Sequence, residues 1–388
     1  MSSVGSVGEV NSQFFTLADR SRPLRLRRGG VLSDAVLAYE TYGELSSKKD
    51  NAVLVFHALS ASQHAAGHNP FVAGVDERWN DDCSLGWWDE FIGPGKGIDT
   101  SRYYVICANY LGGCYGSTGP VSQNPETGRP YGGSFPWITL ADIVDSQMAL
   151  IDHLGIQRLH AVIGGSLGGM MALSLATRYP HRVETVIPIA TGLNVTVLQR
   201  ILNFEQICAI EFDPGFCGGD YYGTKGPQKG LALARMIGHK TFVSLETMEQ
   251  RARQELTGGE GFGQYQLTHH IESYMLHQGS KFVRRFDANT YLCIMGVWQS
   301  VDLLGDAGCT CYEELLSPCR NLRFMVFSID SDVCYYPSEQ QLLVRELRQL
   351  GISVRHVTIH SEKGHDSFLL EPELFMPHLY HSLDNGWW

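Results

Sequence analysis

Along this chain, short unbroken apolar runs alternate with longer segments whose apolar positions recur every three to four residues. The runs are Ala52-Val53-Leu54-Val55-Phe56, residues 103–108, Leu159-His160-Ala161-Val162-Ile163, and residues 185–190, 322–328 and 354–359. Each has the length and content of a strand buried on both faces. Residues 138–154, 169–176 and 338–350 carry helical patterning, and Gly351 stops the last of them. Strand and helix taking turns in this way predict an α/β architecture: a mostly parallel sheet with helices on both faces. Residues 24–42 alternate around Gly29-Gly30 and predict a leading antiparallel hairpin. Between Thr196 and Leu303 strand-like runs nearly vanish and the pattern turns helical. The predicted organisation is therefore one discontinuous α/β core, residues 14–195 and 304–388, interrupted by an all-helical lid insertion at 196–303.

Composition narrows the function classes. The 388 residues are 44% hydrophobic and 18% charged, as in a globular protein with a sizeable core. No apolar run reaches the roughly eighteen residues of a membrane span. A net charge of −11 argues against nucleic acid or an anionic membrane as the main partner, while leaving room for a local basic pocket. The first ten residues lack the basic and apolar regions of a secretory signal, so a cytoplasmic protein with a disordered lead-in is expected. The ten cysteines are scattered; Cys309, Cys311 and Cys319 complete no zinc spacing, and free thiols without a metal are expected.

The chemistry concentrates at Gly164-Gly165-Ser166-Leu167-Gly168, which follows a strand and opens a helix. That is the context of a nucleophile elbow, with small residues where strand turns tightly into helix. The plainer alternative is a glycine-rich connection whose serine only caps the helix. At an elbow, the Leu167 N–H and the helix N-terminus would point toward developing negative charge. A serine hydroxyl needs a base oriented by a carboxylate, in the chain order Ser, acid, His. His365 of Gly364-His365-Asp366 is the base candidate, because it follows the last strand. Asp332, deep in the loop before Tyr335-Tyr336-Pro337, is preferred as the acid; Asp330, nearer the strand end, is the alternative and otherwise a solvated or capping residue. A second oxyanion donor should come from the turn His57-Ala58-Leu59-Ser60, with Leu59 as the choice. His57 lies too early in the chain for the base, and a structural or hole-shaping role suits it better.

Several linked blocks extend this reading: His57-Ala58-Leu59, Gly86-Trp87-Trp88-Asp89, residues 109–120, 164–170 and 230–237, Arg285-Phe286-Asp287-Ala288-Asn289 and Gly364-His365-Asp366. Together, over about residues 14–370, the chain resembles the homoserine O-acyltransferases of the α/β-hydrolase superfamily. The resemblance implies an α/β-hydrolase fold and a ping-pong reaction in methionine biosynthesis. Ser166 would take an acyl group from acyl-CoA, with acetyl-CoA the expected co-substrate, and the hydroxyl of L-homoserine would then attack the acyl-enzyme. His365 would act as base and then acid, with Asp332 holding its ring. The resemblance also implies that Arg235 and Asp366 bind the amino acid; on sequence alone, Arg235 reads as a helix-surface cation. A homodimer through the helical lid and the lack of any bound cofactor are implied as well. The chain departs from the family at Ser331 to Pro337, one residue longer than the usual Ser-Asp-Trp-Leu-Phe-Pro, and at Lys240-Thr241-Phe242, where Ile-Thr-Tyr is frequent. Succinyl-CoA as donor, serine as acceptor, or water as acceptor in an esterase or thioesterase are the rival readings of the same triad.

Overall fold

The apolar runs become strands of one eight-stranded sheet. A computed structural model of the chain describes residues 5–254 and 264–384. The strands are β1 (Gln13–Ala18), β2 (Ala35–Tyr42), β3 (Ala52–Phe56), β4 (Tyr104–Ala108), β5 (Leu159–Gly165), β6 (Val183–Ile189), β7 (Arg323–Ile329) and β8 (Ser353–Ile359). Their spatial order is β1-β2-β4-β3-β5-β6-β7-β8. β1 and β4 flank β2 antiparallel, and every other pairing is parallel.

Helices α1 (Leu140–His153) and α2 (Leu167–Arg178) precede a helical stretch of α3 (Val197–Glu211), α4 (Gln228–Phe242), α5 (Leu245–Gln254), α6 (His270–Val283) and α7 (Ala288–Gln299). Two short helices, Leu303–Ala307 and Tyr312–Leu316, follow before β7, and α8 (Pro337–Gln349) and α9 (Pro372–Leu383) end the chain. Among the described residues no strand lies between β6 and β7. Helix starts follow local signals. Thr139 with Asp142, and Thr196 with Gln199, form reciprocal capping boxes that satisfy the free N–H groups of α1 and α3. Pro337 occupies the first position of α8, where a missing N–H costs nothing.

Alternation along the strands splits the core into two layers. Leu54 and Phe56 of β3 join Ile106, Val162 and Val326 in one layer, covered by apolar residues of α1, α2 and α8. Val53 and Val55 point the other way, with Cys107, Ile163 and Phe327, against Trp88, Phe91 and the Phe375–Leu379 face of α9. Both faces of the sheet are thus buried, which is why these strands read as continuous apolar runs.

Two expectations need correction. The leading hairpin is reduced to Leu24–Arg25 paired with Val31–Leu32. The rest of the alternating segment is β2, whose largely buried side chains place it inside the sheet between β1 and β4 rather than in a hairpin arm. The lead-in is also ordered from Gly5 onward. Val10 N–H donates to His68 O at 2.9 Å and His68 N–H to Gly8 O at 3.0 Å, while Val7 and Val10 pack on the second layer. Residues 1–4 lie outside the described residues. No helix among the described residues is long and apolar enough to cross a membrane.

Candidate active site

β5 runs into α2 through Ser166, whose backbone sits at φ 59° and ψ −127°, a conformation that L-residues rarely hold without enforcement. The enforcement is steric and hydrogen-bonded. A Cβ on Gly164 would lie 2.1 Å from Gly168 O, and one on Gly168 would lie 2.4 Å from Phe56 O. Only glycine lets the strand, the turn and the end of β3 approach this closely. Ser166 N–H donates to Ile189 O at 2.9 Å, where β6 ends. The serine therefore stands at the carboxyl edge of the sheet, at the N-terminus of α2.

That bond starts a series of steps. Ala190 N–H, after β6, donates to Phe327 O of β7 at 2.9 Å, and Asp330 N–H, after β7, donates to Ile359 O of β8 at 3.0 Å. Parallel pairing thus continues one residue past the strand ends and sets the three following loops at a common level.

The loops after β7 and β8 bring the acid and base together. His365 Nδ1 lies 2.7 Å from Asp332 Oδ2. Asp332 Oδ1 accepts from the N–H groups of Cys334 at 2.7 Å and Tyr335 at 2.9 Å, so the carboxylate is fixed from both sides. Both residues are buried. His365 stacks near Tyr335, with centroids 5.6 Å apart, and meets Phe368 edge-on. Burial by itself would lower the imidazole's pKa, but the Asp332 carboxylate, helped by Asp366 and Glu339, raises it above the ordinary value. Its Nε2 is buried without a hydrogen-bond partner. Asp330, by contrast, is exposed and engages His360 Nδ1 at 2.7 Å and Ser361 N–H at 3.0 Å. Of the two aspartates, the structure brings Asp332 to His365.

A cavity of about 340 Å³ opens here, with Leu59, Ser166, Arg235, Arg285, His365 and Asp366 in its wall. Leu59 is in the turn after β3, and its N–H donates to no other group of the described structure. Leu167 is the first residue of α2, where an N–H has no intrahelical acceptor. Arg235 comes from α4. Its guanidinium lies over two rings, Phe242 at 5.4 Å and Phe282 at 5.1 Å, and it forms no ion pair within 4 Å among the described residues. Burial lowers its pKa, and the nearby Arg285 charge adds to that, against the pull of Asp366. Asp366 is raised by burial, with His365 and Arg235 pulling it back. Asp366 N–H donates to Phe242 O at 2.7 Å and Ser244 N–H to Lys363 O at 3.2 Å, so the loop carrying His365 and Asp366 is stitched to the end of α4. Gly364, at φ 76°, permits that approach: a Cβ there would lie 2.7 Å from Ser244 N.

His57 is not in the cavity wall. It is buried against Tyr110, with centroids 3.6 Å apart and Nδ1 2.7 Å from Ala58 O, and burial lowers its pKa to about 4. Three wall or support residues had no role assigned from sequence: Arg285, Phe242 and Phe282. Arg285 opens one of the sequence blocks already singled out, so the signal was present without a function. Phe242 lies in the Lys240-Thr241-Phe242 departure noted in the sequence, whereas Phe282 carries no local signal, because an aromatic at helical spacing reads as core.

A family model described as the alpha/beta hydrolase fold matches residues 51–257. A curated relative from Solidesulfovibrio magneticus, named homoserine O-acetyltransferase, is 43% identical over 367 residues, covering 94% of this chain and 90% of its own. The crystal structure of a homoserine O-acetyltransferase from Bacillus anthracis is similar at TM-score 0.84 and 28% identity, covering 97% of this chain and 98% of that one. A crystallised esterase is similar at TM-score 0.85 and 26% identity, covering 97% of this chain and all of that one.

Proposed function

This chain belongs to the homoserine O-acetyltransferase family, and on that premise we propose that it transfers an acetyl group from acetyl-CoA to the side-chain hydroxyl of L-homoserine, a cytoplasmic step of methionine biosynthesis. The supporting observation is that Ser166, His365 and an unpaired Arg235 near Asp366 share one cavity, with Asp332 holding His365 from behind. His365 Nε2, left without a partner, takes the Ser166 proton as Oγ attacks the thioester carbonyl. The Leu59 and Leu167 N–H groups receive the oxyanion. The C–S bond breaks and the imidazolium returns its proton to the departing CoA thiolate. Homoserine then enters, with its α-carboxylate on the Arg235 guanidinium and its ammonium on Asp366. Nε2 takes the hydroxyl proton, the alkoxide attacks the acetyl carbon, and Ser166 leaves with that proton. The scheme uses no metal and no bound organic cofactor.

Water as the acceptor is the second reading, and the similarity to an esterase supports it. One assay separates the two. Thiol release from acetyl-CoA should show a single-turnover burst alone and sustained turnover with homoserine. Full steady-state release without homoserine would mean a hydrolase. Arg235→Gln should raise the KM for homoserine about 10–100-fold while the burst stays intact, the loss expected of one charged hydrogen-bonding partner. Succinyl-CoA and serine, run in parallel, test the rival donor and acceptor.

The proposal includes a homodimer through the helical lid. Val197, Ile201 and Phe204 lie at i, i+4 and i+7 on α3, all well exposed, and form an apolar stripe that a second copy would cover.

A further inference from the structure

The turn that carries Leu59 is held by its carbonyl oxygens. Tyr110 Oη donates to His57 O, His57 Nδ1 lies 2.7 Å from Ala58 O, and Trp87 Nε1 donates to Ser62 O at 2.9 Å. Another holder is Arg285, whose Nη1 donates to Ser60 O at 3.0 Å and to Tyr115 Oη at 3.1 Å. Tyr115 Oη in turn donates to Arg285 O at 2.7 Å, closing a small ring of bonds that fixes the arginine at both ends. The Phe282 ring lies 5.1 Å beneath the guanidinium. Cys107 Sγ, on β4, also lies 3.6 Å from Ser62 O, so every holder but Arg285 belongs to segments packed with the sheet. Arg285 alone comes from the helical stretch between β6 and β7, at the junction of α6 and α7.

Resting on the proposed acyl-transfer reading, we infer that Arg285 is a positioning residue, which fixes the Leu59 N–H by holding the Ser60 carbonyl and so couples the helical stretch to the oxyanion hole. The turn itself contributes one main-chain bond, Ala61 N–H to Ala58 O at 3.2 Å. Ser60 O and Ala61 N–H share one peptide unit, and Ala61 N–H helps hold Ala58 O, whose peptide carries the Leu59 N–H. Without the guanidinium, Ser60 O loses its donor, that unit can rotate, and the hold on the Leu59 peptide loosens. An oxyanion donor acts through its preset direction, and an N–H that must be reoriented during the reaction gives up much of that benefit. The same N–H faces the tetrahedral oxygen in acylation and in deacylation. Loosening it therefore slows both half-reactions by one factor. A residue that gripped the acceptor's carboxylate would affect only the second.

The test measures the half-reactions separately in wild type and Arg285→Gln. p-Nitrophenyl acetate supplies the acyl group, so that acylation is followed without CoA or homoserine; homoserine is then added to the acetyl-enzyme. The expected result is an equal fall in both rate constants, on the order of 10–100-fold and below the roughly 10²–10³ seen when an oxyanion donor is deleted outright, with the KM for homoserine unchanged. A fall confined to deacylation, or a raised KM for homoserine, would overturn the inference in favour of acceptor binding. Unchanged rates would overturn it outright. Should Arg285→Gln not fold, Arg285→Lys keeps the charge but cannot span Ser60 O and Tyr115 Oη together; it must show the same matched loss, and wild-type rates in it would sink the idea. A wild-type protein that is never acylated at Ser166 refutes the underlying reading instead, and is distinguished by the missing burst.

Discussion

At Asp332 both carboxylate oxygens are committed, one to two backbone N–H groups and one to His365, whereas Asp330 spends its oxygens on an exposed histidine and a loop N–H. Asp332→Asn should therefore lower turnover by about 10⁴-fold, the cost of leaving the imidazole in the wrong tautomer, while Asp330→Asn stays within about twofold. Steady-state thiol release in the two variants decides between them. The same carboxylate sets the pH response. His365 must be neutral to accept a proton, and its pKa is raised, so activity should climb through an acid limb centred above the ordinary imidazole value of about 6.5. The sign for stability is opposite. A raised folded-state pKa contributes stability below the unfolded value, and that contribution is lost as pH rises through the folded one. Activity grows over the window in which this contribution disappears. A limb at or below pH 6.5 in wild type would contradict the pairing. Ser166 and His365 were legible in the sequence because each is marked by its neighbours, a glycine-framed bend and a loop after the last strand. The choice of Asp332 over Asp330 was a preference only, since two residues in one loop differ by where their side chains turn. Arg235 was hidden further, because a cation on a helix looks the same whether it faces water or a cavity.

β3, β5 and α2 converge too closely for a side chain at the elbow glycines. A methyl on Gly168 would press on Phe56 O at 2.4 Å and His57 O at 2.8 Å, at the start of the turn that carries Leu59. Gly168→Ala should thus displace α2 or that turn, lowering stability by at least about 2 kcal/mol in denaturant unfolding and removing most activity. Gly296, inside α7, is the control. A Cβ there has only ordinary contacts at 3.5 Å, and alanine suits a helix better, so Gly296→Ala should hold or gain up to about 1 kcal/mol. Equal losses in both would show that close approach at the elbow is not the cause. At this scale the sequence was informative about element type. The buried strands are continuous apolar runs because helices cover both sides, and the helices open at capping signals that can be read directly. Partnership was another matter. Alternation in residues 24–42 gave strand character correctly, but no local pattern tells a strand that it lies between two distant ones rather than in a hairpin.

At the scale of the whole molecule, the α3 stripe sets apolar side chains against solvent. Phe204 is 61% exposed and Ile201 50%, one turn apart on the same face. If a second copy covers them, Ile201→Glu should convert a dimer into a monomer in analytical ultracentrifugation while single-site acylation by p-nitrophenyl acetate persists. A wild-type protein that sediments as a monomer at every concentration would dismiss the assembly. The two kinds of structure in this chain also carry different freedoms. The stepped bonds from Ser166 to Ile189, Ala190 to Phe327 and Asp330 to Ile359 are all main chain to main chain, so no substitution other than proline removes their donors or acceptors. Arg235, which meets the cavity from the helical stretch, is a side chain that a single codon change can replace. Reactivity and recognition can consequently drift at different evolutionary rates: a lineage can exchange an amino-acid alcohol for water without rebuilding its nucleophile. An acetyltransferase and an esterase sharing this architecture at nearly equal TM-scores are the expected descendants of such a division.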